Sequence, residues 1–113
     1  MRRHVSILAG LVLCLGLAVS SAQAVTEIQW WHAMGGPNGE KLNEIAENFN
    51  KKNPEFKVVP VNKGNYSETM TAAIAAFRSG TPPHIVQVFE VGTATMMAAE
   101  GAIKPVYQLM EET

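Results

Sequence analysis

Phe56-Lys57-Val58-Val59-Pro60-Val61, followed by Met70, Ala73, Ile74 and Phe77, followed by His84-Ile85-Val86-Gln87-Val88-Phe89-Glu90, is the stretch that decides the fold. The outer two segments are short apolar runs rich in β-branched residues, which read as strands. The middle one places apolar residues at i, i+3, i+4 and i+7, which puts them on one face of a helix. Strand, helix and strand in that order are the signature of a β/α domain, and if the sheet is parallel its strand ends lie on one rim.

The same alternation extends in both directions. Upstream, Thr26-Glu27-Ile28-Gln29-Trp30-Trp31 reads as a strand that breaks at Gly35-Gly36-Pro37. A helix from Asn38 to Asn50 is expected next, with Leu42, Ile45, Ala46 and Phe49 on its buried face. Lys51-Lys52 lie in its last turn, where cations favour the helix dipole, and Asn53-Pro54 ends it. Pro60 lacks an amide donor and marks its strand as an edge, or its position as a strand end. Asn65 and Glu68 are spaced as a capping box for the second helix, and Gly80 closes that helix ahead of Pro82-Pro83. The run from His84 to Glu90 is apolar enough to be covered on both faces. Beyond Gly92-Thr93, residues 94–100 form a short helix closed by Gly101, and Val106–Thr113 begins another amphipathic pattern. The expected fold class is α/β, in β-α-β-α-β-α order.

Residues 1–24 carry the pattern of a cleaved secretory leader. Arg2 and Arg3 give a positive start, Val5 to Val19 is apolar, and Ser20-Ser21-Ala22-Gln23-Ala24 offers small residues for cleavage after Ala24. The apolar run falls short of the roughly 20 residues that a membrane span needs. The only cysteine, Cys14, lies in this leader behind the bulky Leu13, which is wrong for a lipoprotein signal. The remainder, 25–113, should then hold together without disulfides. Its last helix pattern has no terminating signal, so the chain is expected to be a fragment. Beyond residue 24 there are seven basic residues and ten glutamates, a balance that points to neither nucleic acid nor an anionic membrane as partner.

In open α/β sheets, ligands bind beyond the carboxyl ends of the strands. The candidates at the three ends are Trp31, His32 and the Gly35-Gly36 loop, then Lys63-Gly64-Asn65-Tyr66, then Glu90 with the Gly92-Thr93 turn. Aromatic faces beside a carboxylate or amide suit a polyol or sugar. Each residue also has a purely structural reading. Trp30 and Trp31 point to opposite faces, so one belongs to the core. His32 could be a satisfied turn residue, and Tyr66 could pack over its own helix. Glu90 could cap a helix or form an ion pair, although a carboxylate that closes so apolar a run demands a partner or solvent. Met96-Met97 is read as core and Arg78 as a solvated helix position. One carboxylate without a partner and a lone histidine make a poor enzyme site. No metal or nucleotide motif occurs, so no cofactor is expected.

These residues also carry a resemblance. Trp31-His32, Lys63-Gly64-Asn65-Tyr66, Ile74-Ala75-Ala76-Phe77-Arg78, and Val88 through Ala98 with Ile103-Lys104-Pro105-Val106-Tyr107 resemble the extracellular solute-binding proteins of the maltose-binding type. Within that family they are most similar to members that carry sn-glycerol-3-phosphate. The resemblance implies the N-terminal part of the first lobe of a two-lobed periplasmic binding protein (type II), with the second lobe absent from residues 25–113. It implies a monomer that serves ABC permease subunits at the inner membrane from the periplasm. It also implies that Tyr66 and Glu90 contact the ligand, with Trp31 and His32 as weaker candidates. Glu90 would repel a phosphate at close range, so it is expected to hold the glycerol hydroxyls while groups elsewhere bind the phosphate. A sugar or a glycerophosphodiester such as glycerophosphocholine remains an alternative ligand. An exported glycan- or phosphate-ester hydrolase using Glu90 is a further alternative, and the usual pair of acids is missing for it. The chain alone is expected to bind nothing measurable.

Overall fold

The computed structural model describes residues 24–99 and 101–113. The leader expected over residues 1–24 thus lies outside the described residues except for Ala24, as does Glu100. The elements are β1 (Thr26–His32), α1 (Gly36–Lys52), β2 (Phe56–Asn62), α2 (Tyr66–Arg78), β3 (Ile85–Val86), a 3-10 turn (Glu90–Gly92), α3 (Thr93–Met97) and α4 (Val106–Glu111).

The sheet is wholly parallel, in the order β2-β1-β3. The chain steps one way from β1 to β2 and back past β1 to reach β3. Right-handed connections therefore place α1 and α2 on opposite faces. Alternation along β1 agrees with this. Trp30 meets His32 edge-on on the α1 side, with ring centroids 6.4 Å apart, whereas Trp31 is in register with Val86 on the α2 side.

α1 starts two residues before the expected Asn38, because Pro37 sits in its first turn, where no amide is needed. α2 has both of its expected ends. The Asn65 side chain accepts from Glu68 N–H at 3.0 Å, and Asn65 N–H donates to the Glu68 carboxylate at 2.7 Å. At the other end Gly80, at φ +77°, turns the chain so that Gly80 N–H reaches Phe77 O and Thr81 N–H reaches Ala76 O. The buried faces are narrower than the spacing implied. Ala46 and Ala73 are buried, but Ile45, Phe49 and Phe77 remain exposed, and Thr69 of α2 has no accessible surface. Met96 is buried while its neighbour Met97 is exposed. Neither tryptophan is fully buried; His32 is the buried side chain of β1.

The third strand departs most from expectation, with two residues instead of seven and Ile85 42% exposed. Side chains take over the pairing on either side of it. Gln29 N–H of β1 donates to His84 Nδ1 at 3.1 Å, and Ala33 N–H donates to Gln87 Oε1 at 2.9 Å. With these donors satisfied, β1 does not require a longer backbone partner, and the chain after Gln87 is free to turn.

Candidate functional site

The parallel sheet brings all three strand ends to one rim, so the candidates from Trp31, Lys63–Tyr66 and Glu90 share one side of the molecule. The rim is built by short local bonds. At the end of β2, Asn62 donates to Met34 O at 2.6 Å and accepts from Gly64 N–H at 2.8 Å, tying the loop after β1 to the turn before α2. Gly64 holds φ +93°, and a Cβ there would run into the Glu68 carboxylate of the capping box. Only glycine suits that turn, which delivers Tyr66 to the first position of α2.

Tyr66 lies with its ring stacked on Phe89, centroids 5.4 Å apart and planes 26° from parallel. It is 40% exposed. Glu90, the next residue, is exposed and opens the 3-10 turn. Among the described residues, neither the Tyr66 hydroxyl nor the Glu90 carboxylate has a hydrogen-bond or ion-pair partner, so the structure leaves both polar groups open to solvent. The turn that presents Glu90 is closed by Gly92 N–H and Thr93 Oγ1, both donating to Phe89 O at 3.0 and 3.1 Å.

Trp31 and His32 are placed differently. The Trp31 indole N–H donates to Gln29 Oε1 at 3.1 Å, and its ring carries the Lys63 ammonium 3.9 Å from the centroid. His32 is only 3% exposed, and its Nδ1 accepts from Met34 N–H at 3.2 Å. Burial holds its pKa below the ordinary 6.5. Its carbonyl accepts from Lys63 N–H at 2.9 Å and from Thr69 Oγ1 at 3.4 Å, so its own surroundings satisfy it.

The clefts lie elsewhere. One of about 290 Å³ runs between α2, β3 and α3 and is lined by residues such as Ala73, Phe77, Val86 and Met96. Its walls are mostly apolar, with Arg78 and Thr95 as the polar side chains on them. A more polar recess of about 410 Å³ beside His32 opens between α1 and β2, with Glu40, Asn43 and Asn62 on its walls. Tyr66 and Glu90 stand outside both, on an open face. Sequence reasoning missed Asn62, Gln87 and Phe89 as residues that shape the rim. Phe89 had one legible signal, the nearby Gly92, which leaves space for its ring.

Comparison with known proteins gives consistent relatives. The sn-glycerol-3-phosphate-binding periplasmic protein of Escherichia coli K12 is 54% identical over 101 residues, which is 88% of this chain and 23% of that protein. The protein of the same name from Yersinia pestis bv. Antiqua is 52% identical over 103 residues, with the same shares. The chain thus spans about a quarter of the length of these relatives, and both are named as binding proteins rather than enzymes. The family model for bacterial extracellular solute-binding proteins matches residues 35–113. The chain belongs to the family of bacterial extracellular solute-binding proteins.

Proposed function

We propose that this chain supplies the polyol-facing wall of a binding site for sn-glycerol-3-phosphate, in the periplasmic solute-binding component of an ABC importer. The observation that carries the reading is the juxtaposition of Tyr66 and Glu90. They come from different strand ends, Tyr66 stacks on Phe89, the residue just before Glu90, and among the described residues neither polar group has a hydrogen-bond partner. The relatives named for this ligand support it.

Tyr66 covers C–H surface of the glycerol with its ring face, and Glu90 accepts hydrogen bonds from the hydroxyls. The phosphate lies away from Glu90, because two anions in a partly desolvated site repel. A lone carboxylate on an open face is suited to holding hydroxyls and unsuited to hydrolysis, so the protein is a carrier and has no catalytic role. Residues 1–24 direct it to the periplasm, where it acts as a monomer and hands its ligand to the permease subunits.

The test is a chimaera in which residues 25–113 replace the matching stretch of the Escherichia coli K12 relative, titrated calorimetrically with sn-glycerol-3-phosphate. Binding is expected, and Glu90→Gln should weaken it about ten-fold, as expected for losing a charge-assisted hydrogen bond. Unchanged affinity in Glu90→Gln would sink the assigned role. Competition by maltose or glycerophosphocholine in preference to glycerol-3-phosphate would replace the ligand, and turnover of a phosphate ester would replace the class.

A further inference from the structure

Phe89 has a constrained place that its apolar character alone does not explain. One face of its ring lies against Tyr66, at 5.4 Å and 26°. Toward Gly92 the approach is so close that a Cβ added there would stand 2.7 Å from Phe89 Cε1 and 2.9 Å from Met70 Sδ. Its carbonyl anchors the turn carrying Glu90 through Gly92 N–H and Thr93 Oγ1. The same residue therefore grips the tyrosine by its ring and the glutamate by its backbone.

We infer that Phe89 is a positioning residue, one that fixes the Tyr66 ring relative to the Glu90 carboxylate and so sets the bite in which a polyol is held, with Gly92 kept bare to seat the ring. The inference rests on the reading that Tyr66 and Glu90 contact the ligand. Neither Tyr66 nor Glu90 lines the two recesses described above, and the stack on Phe89 is the contact that orients the Tyr66 ring. An offset aromatic pair contributes beyond the area it buries, whereas an aliphatic side chain of similar bulk fills space without orienting the tyrosine plane.

The experiment is a double-mutant cycle in the same chimaera, with sn-glycerol-3-phosphate as the titrant. Phe89→Leu is expected to weaken binding roughly three- to ten-fold, the worth of an aromatic pair. Phe89→Tyr, which keeps the ring, should restore it. Gly92→Ala, which pushes the ring from its seat, should weaken binding in the same direction. In a Tyr66→Ala background Phe89→Leu should have no further effect, because its influence passes through the tyrosine. Additive losses, or full affinity in Phe89→Leu, would overturn the inference while leaving the ligand reading intact. Should the leucine variant not fold, Phe89→Met is measured in its place with the same expectations. Tyr66→Ala without effect on affinity would sink the ligand reading itself, and this inference with it.

Discussion

His32 closes β1 with a buried imidazole whose Nδ1 accepts from Met34 N–H, a bond that requires this nitrogen to be unprotonated. Burial depresses its pKa below 6.5, so the unfolded chain binds the proton more readily than the folded one. The neutral ring's contribution to stability is present above about pH 6.5, the unfolded value, and is lost as pH falls through it toward the lower folded pKa. Urea unfolding at pH 7.5 and 5.5 should show a lower midpoint at the acid value, and His32→Gln should remove much of that difference. A midpoint that is flat with pH in the parent chain would show that the imidazole is not held neutral. Gly64 is the other decisive residue of the rim. Gly64→Ala would force a Cβ into the left-handed region and against Glu68, at a cost of about 1–3 kcal/mol in unfolding free energy. In the sequence Gly64 stood only within the strand-end group Lys63–Tyr66; its turn and its clash partner came from the structure, where the capping box brings the Glu68 carboxylate over it.

At the scale of elements, the outer edge of β2 is closed without another strand. Phe56 N–H reaches Asn53 O at 3.0 Å, Val58 bonds through both backbone groups to the Asn50 amide at 2.7 and 2.9 Å, and Pro60 has no N–H to offer. This is how an exposed edge avoids pairing with another chain. Pro60 pointed in the sequence to an edge or a strand end, and the structure shows the edge; the part played by Asn50 could not be read, since it depends on the end of α1 lying beside β2. Asn50→Ala is expected to cost roughly 1–3 kcal/mol, because it leaves both Val58 groups without their partner, and to raise aggregation in light scattering. Asn65→Ala, which removes the cap of α2, should cost about 1 kcal/mol in the same unfolding assay. The Glu27–Lys57 pair across β1 and β2, 3.8 Å apart and exposed, should contribute little by comparison.

For the whole molecule, the buried apolar side chains among the described residues are Ala46 of α1 on one face of the sheet and Ala73 of α2 with Met96 of α3 on the other. Large apolar residues such as Ile45, Phe77 and Val106 remain exposed, the last at 68%. Order should therefore be graded. Native-state hydrogen exchange is expected to be slowest in β1, which is paired on both sides, and fastest in α4, which buries no residue. Equal protection of α4 and β1 would contradict this gradient.

By itself the sequence determined the α/β class, the strand and helix order and both ends of α2, and it narrowed Pro60 to an edge or a strand end, because periodicity, capping and proline chemistry act over a few neighbouring residues. It also offered Tyr66 and Glu90 among the strand-end candidates, beside Trp31 and His32, and the family resemblance singled those two out. Only the tertiary structure decided that β3 stops after two residues, that His32 rather than a tryptophan is the buried side chain of β1, and that Phe89 stacks on Tyr66. In each case the outcome depends on side chains far apart in the chain, His84 and Gln87 against β1, Thr69 against the His32 carbonyl, Phe89 against Tyr66, and no local pattern encodes the distance between them.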